Sequence, residues 1–162
     1  HAPDFDVCPE STMAQSLSNI LLHIVFSTKH RRPLLDTTVE PELFAYLAKV
    51  CDTLCCSSHA IGAADDHLHL ACSLSRGVTV SKLIQEIKQD SSKWIKSKGV
   101  RFTDFAWQNG YGAFSVGQSQ LDDLRGYIRN QREHHRRVSF QEEYREILKR
   151  YEIAFDERYV WD

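Results

Sequence analysis

The stretch SHAIGAADDHLHLACSL, residues 58–74, decides the fold because it combines two short strand-like segments with a tight turn. Ser58 to Ala63 and His67 to Leu74 are the predicted strands, and Ala64-Asp65-Asp66 is the predicted turn. A connection this short joins antiparallel neighbours, whereas parallel strands need a long crossover. The stretch therefore predicts a β-hairpin and, with it, an antiparallel sheet.

The second strand of this hairpin carries two histidines on one face. Residues i and i+2 of a strand point to the same side, so His67 and His69 lie about 7 Å apart along the backbone. Leu68 and Leu70 point to the opposite side. This spacing allows the two imidazoles to converge on one metal ion, although packing is the more common role of such a pair.

The first half of the chain predicts one strand and two helices besides the hairpin. Ile20 to Ser27 is an apolar run typical of a strand buried on both faces. Apolar residues at helical spacing predict a helix over residues 40–56 and a second helix that begins at Thr79 or Val80. Gly99 is a typical C-terminal stop for the second helix.

The second half predicts a further strand and two C-terminal helices. Residues 105–108 and 111–116 predict one interrupted strand, or two short ones, around the turn sequence Asn109-Gly110. A capping box at residues 119–122 predicts the start of a third helix that runs to about residue 134. The stripe through Phe140 and Tyr144 predicts a fourth.

The predicted order is β-α-β-β-α-β-α-α, which indicates the α+β class. An antiparallel sheet with two helices packed on one face matches the ferredoxin-like pattern, here extended by C-terminal helices.

The composition indicates one globular domain, because 162 residues with 42% hydrophobic and 26% charged side chains suit a single core. Residues 1–12, HAPDFDVCPEST, lack the basic and apolar regions of a signal peptide. We expect them to be residual expression sequence or a disordered extension, and residues 13–162 to form the domain. We expect a cytoplasmic location and no membrane span, because no apolar run approaches about 20 residues.

The charge does not point to a strongly basic nucleic-acid binder. The formal net charge is -2, and removing the three acidic residues of positions 1–12 would bring it to +1. A net charge near zero argues against strong sequence-independent binding to DNA. Three local basic runs lie at residues 29–32, 88–98 and 129–137. The simplest interpretation of each run is a charged surface exposed to solvent.

The third predicted helix brings together a phenol and an amide. Tyr127 and Gln131 are four residues apart and therefore share a face. A pair of histidines on a strand and a tyrosine on a helix suggest phosphodiester chemistry with a tyrosine nucleophile. Taken alone, Tyr127 is more typical of a tyrosine at the edge of a core. His23 is more typical of a core histidine whose hydrogen bonds are satisfied. His134 and His135 are more typical of charges at the end of a helix.

Five motifs occur in an order that resembles a known family. HIVFSTKHRRPLL, DDHLHL, WQNGYGAFSV, YIRNQREHH and FDERYVW together resemble the single-tyrosine HUH transposases of bacterial insertion sequences. The resemblance covers residues 18–162.

The resemblance implies a metal site and a nucleophile. His67, His69 and Gln131 would be the metal ligands, and Tyr127 would form a 5′-phosphotyrosine link with DNA. Two imidazoles and an amide oxygen suit Mg²⁺, Mn²⁺ or another divalent ion. The ion would polarise the scissile phosphate, and the covalent link would allow strands to be rejoined without ATP.

The resemblance also implies the partners. The substrate would be single-stranded DNA with hairpin ends, and the protein would be a homodimer in which the tyrosine helix can complete the site of the other subunit. Candidate phosphate contacts are Lys29, Arg31, Arg32, Lys93 and Arg129.

Two other functions fit the residues. The histidines would also serve a metal-dependent phosphodiesterase that uses water and forms no covalent intermediate. A ferredoxin-like scaffold is also compatible with a nucleic-acid binding module that has no catalytic activity.

Overall fold

The computed structural model describes residues 16–162, so the expected extension at residues 1–12 lies outside the described part. Its strands are β1 Leu21–Ser27, β2 Ser58–Ala64, β3 His67–Ser73 and β4 Gly112–Val116. The helices are α1 Glu40–Thr53, α2 Val80–Lys96, α3 Leu121–Arg129, α4 Gln131–His134 and α5 Phe140–Arg150.

The four strands form one antiparallel sheet in the order β2-β3-β1-β4. The hairpin between β2 and β3 is confirmed, and β1 lies between β3 and β4, which explains why all seven residues of β1 are buried. The α+β class and the ferredoxin-like arrangement predicted from the sequence are confirmed.

Helices α1 and α2 cover one face of this sheet and form the main core. Ile24 and Phe26 of β1 and Leu68 and Leu70 of β3 point into this layer. Thr79 caps α2, because its side chain accepts a hydrogen bond from the backbone N–H of Lys82.

The C-terminal helices cover the other face, towards which His67 and His69 point. Ile128 of α3 packs on Ala60 and Ala71, and α5 packs on Val25 and Phe114. The side chains of α5 in this contact are Phe140, Tyr144, Ile147 and Leu148. Both histidines are therefore enclosed between the sheet and three short helices.

The structure differs from the sequence expectations at two C-terminal points. The predicted third helix breaks at Asn130 (φ -97°, ψ 19°), which separates α3 from α4. The predicted capping box is wrong: α3 has no side-chain cap and follows a short turn in which Gly117 N–H donates to Gln120 Oε1 at 3.3 Å.

The interrupted strand is only partly formed. β4 begins at Gly112, and the segment before Asn109 makes a single bridge between Thr28 and Trp107. Within residues 16–162, no helix is both long enough and apolar enough to cross a membrane.

Candidate metal and tyrosine site

His67 stands at the start of β3 with its ring fully buried. Its Nδ1 lies 2.7 Å from Asp66 Oδ1, so the N–H at this position donates to the carboxylate. Burial alone would lower the pKa of His67, but the hydrogen bonds and charges of Asp66 and Glu143 outweigh it and raise that pKa. The bond to Asp66 fixes the ring so that Nε2 points between the sheet and the C-terminal helices.

His69 is held in a similar way by His23 of β1. His69 Nδ1 lies 2.8 Å from His23 Nε2, and the two rings stack with their centroids 5.1 Å apart. Burial lowers the pKa of His69 to about 4, and burial together with the His69 charge lowers that of His23 to about 3. Both rings are therefore neutral at pH 7, and Nε2 of His69 also faces the C-terminal helices.

Glu143 of α5 stands at the meeting point of these rings, and the sequence analysis did not identify it. Its Oε1 lies 2.9 Å from His69 Nε2, 3.4 Å from His67 Nε2 and 3.1 Å from His135 Nε2. Burial would raise the pKa of Glu143, but the surrounding imidazoles outweigh it and hold the carboxyl ionised. Its position on the buried stripe of α5 is the signal that would have revealed it, since a glutamate is rarely buried without partners.

Tyr127 donates its hydroxyl hydrogen bond to the other oxygen of the same carboxylate, Glu143 Oε2. The ring packs edge-on to His69, with the centroids 5.7 Å apart. Burial and the neighbouring negative charge raise the pKa of the phenol, so the resting hydroxyl holds its proton at neutral pH.

Gln131 joins the same cluster although the helix breaks before it. Its Nε2 donates to Glu143 Oε2 at 3.3 Å and to the backbone oxygen of Tyr127 at 3.4 Å. This orientation leaves Oε1 3.3 Å from His67 Nε2. The structure thus brings together all four residues singled out for chemistry: His67, His69, Tyr127 and Gln131.

His134 and His135 also face the site rather than solvent alone. His134 Nε2 lies 3.2 Å from Glu143 Oε2, and its ring packs against Tyr127. His135 Nδ1 lies 2.6 Å from the backbone oxygen of Val138, so its N–H donates there.

The cluster fits a divalent metal ion. The ligand atoms of His67, His69, His135 and Glu143 all lie within 4.8 Å of one another. Neighbouring ligands of an ion bound at about 2.1 Å are about 3.0–3.4 Å apart in tetrahedral or octahedral sites, which is close to the distances around Glu143 Oε1. The donor set therefore has both the chemistry and the spacing of a metal centre.

A cavity of about 540 Å³ opens beside the tyrosine, between α3 and α5. Its lining residues include Tyr127, His134, Glu143, Arg150 and Tyr151. The side chain of Tyr127 is partly exposed and borders this cavity.

The candidate phosphate contacts are divided between the two faces of the sheet. Lys29, Arg31 and Arg32 follow β1 at the end where Ser27 pairs with His67. Arg129 is exposed at the end of α3, whereas Lys93 is exposed on α2, on the face away from the site. Two of these residues have partners in the C-terminal tail: Lys29 lies 3.8 Å from Asp162, and Arg31 lies over Trp161.

The fold and this cluster define a class of protein: a ferredoxin-like domain with a candidate histidine metal site next to a partly buried tyrosine. The family model described as "Transposase IS200 like" matches residues 16–131, which is most of the chain. The protein therefore belongs to this transposase family.

Two solved structures share the fold. One is a candidate transposase from Deinococcus radiodurans, with 18% identity, a TM-score of 0.59 and coverage of 76% of this chain and 98% of that one. The other is a REP-associated tyrosine transposase bound to a REP hairpin, with 18% identity, a TM-score of 0.53 and coverage of 74% and 70%. No curated protein sequence gave a significant match.

Proposed function

We propose that this protein cleaves and rejoins single-stranded DNA through a 5′-phosphotyrosine at Tyr127. The observation that carries the proposal is the position of the Tyr127 hydroxyl, which donates to Glu143 inside the histidine cluster. A tyrosine needs such help, because its free pKa near 10 makes it a poor nucleophile at neutral pH.

The chain's own residues supply the proton transfer. The Tyr127 oxygen attacks the phosphorus while its proton passes to Glu143 Oε2, the atom that accepts its hydrogen bond. The bond from phosphorus to the 3′ oxygen breaks, and that oxygen takes up a proton to become a free 3′-hydroxyl. A second 3′-hydroxyl can then attack the phosphotyrosine and release Tyr127, which rejoins the strands.

A divalent ion, Mg²⁺ or Mn²⁺, held by His67, His69 and Gln131, would polarise the scissile phosphate and stabilise its developing charge. Asp66 and His23 serve this site by fixing the two histidine rings through Nδ1.

The proposed substrate is single-stranded DNA with hairpin ends, handled in the cytoplasm. Membership of the transposase family and the fold shared with a hairpin-bound tyrosine transposase support this choice. Lys29, Arg31, Arg32 and Arg129 would contact phosphates near the site, and Lys93 would act from the other face.

We also propose a homodimer. Among residues 16–162, the edge strand β4 pairs with β1 alone, and Tyr151 donates a hydrogen bond to its Ser115 backbone oxygen, so a second chain would pair along the remaining part of this edge. The mass of the protein in solution tests this point.

The decisive experiment is denaturing gel electrophoresis after incubation with labelled single-stranded DNA from the flanks of its own gene and Mn²⁺. We expect a slow covalent band that requires the metal and disappears in Tyr127→Phe. Tyr46→Phe is the matched control, because Tyr46 stacks on Trp94 on the opposite face of the sheet.

The same gel separates the other functions. An adduct that persists in Tyr127→Phe contradicts the proposal. Cleavage without an adduct in either protein indicates a water-using phosphodiesterase. No cleavage, together with binding seen on a separate native gel, indicates a binding module.

A further inference from the structure

In their neutral forms, two imidazoles of the cluster turn a lone pair, not an N–H group, towards the oxygen of Glu143. His67 uses its Nδ1–H on Asp66, so a neutral ring has only a lone pair at Nε2. That lone pair faces Glu143 Oε1 at 3.4 Å and Gln131 Oε1 at 3.3 Å, and both oxygens are also acceptors.

His135 repeats this arrangement from α4 and the residue that follows it. Its Nδ1–H donates to the backbone oxygen of Val138, which leaves a lone pair at Nε2. Nε2 lies 3.1 Å from Glu143 Oε1 but makes no hydrogen bond, and the side chain is only 9% exposed.

Converging lone pairs in a buried place are costly unless something positive satisfies them. Buried polar atoms without partners lose their hydration, and the low local dielectric strengthens repulsion between acceptors. A divalent cation reverses the sign of these interactions, since imidazole lone pairs and a carboxylate oxygen are its ligands. His67 and His135 each donate a hydrogen bond from the ring nitrogen that faces away from Glu143. Bonds of this kind generally orient histidines that bind a metal through the other nitrogen.

We propose that His135 and Glu143 are metal ligands together with His67 and His69, in addition to the Gln131 of the proposed function. The inference rests on that function for the location of the centre, but both added residues lie beyond the matched range 16–131. Three imidazoles and a carboxylate favour first-row transition ions such as Mn²⁺, Co²⁺ or Zn²⁺ over Mg²⁺.

This assignment gives Glu143 two roles through its two oxygens. Oε1 faces the three imidazoles, whereas Oε2 accepts the hydrogen bond of Tyr127 and that of the Gln131 amide. Glu143 would thus hold the phenol at a fixed position relative to the ion.

The test is titration of the DNA-free protein with Co²⁺, followed by calorimetry and by the visible absorption of the ion. Glu143→Gln keeps the shape of the side chain and removes its charge. His135→Asn keeps a donor near the position of Nδ1 and removes Nε2. We expect each to weaken Co²⁺ binding by at least about 10-fold, because removing even an outer partner of a metal ligand costs about 10–100-fold.

His59→Asn is the matched control, since the His59 ring bonds to Ser73 and lies near Arg125, and it touches none of the proposed ligands. Its Co²⁺ affinity and absorption should equal those of the unmodified protein. For the unmodified protein, Mg²⁺ should bind at least about 10-fold more weakly than Co²⁺.

Two results would overturn the assignment: unchanged Co²⁺ affinity in Glu143→Gln and His135→Asn, or Mg²⁺ affinity equal to that for Co²⁺. Because the titration contains no DNA, it measures the ligand set independently of the DNA reaction. Failure of the DNA reaction and failure of this ligand set are therefore separate outcomes.

Discussion

His23 links folding to pH, because the folded protein encloses it as a neutral ring. It lies between His69, Phe114 and Tyr127, and burial, followed by the charge of His69, lowers its pKa to about 3. In the unfolded chain its pKa returns to about 6.5, so the unfolded state takes up a proton first as the pH falls.

We therefore predict that metal-free protein loses stability as the pH falls from about 6.5 towards 4. Between the unfolded and folded pKa values, one histidine lowers the free energy of unfolding by about 1.4 kcal/mol per pH unit. His69 acts in the same direction, down to its folded pKa of about 4.

Two neighbours do not cancel this effect. The raised pKa of His67 adds stability that is complete below pH 6.5 and is lost as the pH rises through its folded pKa. The lowered pKa of Glu143 adds stability above its unfolded pKa of about 4.5, so that contribution falls away only in more acidic solution.

Urea denaturation in EDTA at about pH 7 and about pH 5 measures the dependence, with His23→Gln as the comparison. The variant should show a smaller difference between the two pH values than the unmodified protein. Equal differences in the two proteins would show that His23 does not titrate on unfolding.

At the scale of elements, Gly62 decides how closely α3 approaches the sheet. A Cβ atom at this position would lie 1.9 Å from the backbone oxygen of Ile128, a distance that no packed structure allows. The contact places Tyr127, the preceding residue, over β3.

We predict that Gly62→Ala destabilises the protein and lowers the yield of the Tyr127 adduct. Pushing α3 away should cost about 1–3 kcal/mol of unfolding free energy, as overpacking does elsewhere. Gly126→Ala on the same helix is the control, because nothing lies within 4 Å of its added Cβ.

Urea denaturation gives the free energies for both variants. Gly126→Ala should be neutral or more stable by roughly 0.5–1 kcal/mol, since alanine favours a helix. If the two variants have equal stability, the close approach at Gly62 is not what positions α3.

The long elements could be predicted because their apolar periodicity is local. The alternation in His67–Ser73 and the stripe of α2 are each complete within one stretch of sequence. The break at Asn130 could not be predicted, since the helical pattern continues through Gln131. Arg132, which follows the break, bonds to Glu40, Asp65 and the Leu35 backbone, all distant in sequence.

Contacts between residues that are distant in sequence also explain which part of the site could not be predicted. His67 and His69 are neighbours along one strand, and Tyr127 and Gln131 along one segment, so spacing alone grouped each pair. Glu143 and His135 join them only through the packing of α5 and α4 against the sheet. Burial of a glutamate can be anticipated from a helical stripe, but its partners depend on tertiary contacts.

At the scale of the whole molecule, the site is assembled from three separate segments of one chain. β3 supplies two histidines, the segment from α3 to His135 supplies Tyr127 and Gln131, and α5 supplies Glu143. The Tyr127 hydroxyl bonds to Glu143 of its own chain. The structure therefore contains a complete constellation without a residue from another subunit.

We predict that each subunit attacks DNA with its own tyrosine. His67→Ala removes a ligand but keeps Tyr127, whereas Tyr127→Phe keeps the ligands but removes the nucleophile. Co-expressing the two variants should yield no adduct, because neither chain contains a whole site. If the tyrosine helix were exchanged in a homodimer, half of the dimers would be mixed and would each hold one intact site, giving about a quarter of the normal adduct. Co-expression of the unmodified chain with Tyr127→Phe is the control, and its adduct shows that mixed preparations can react.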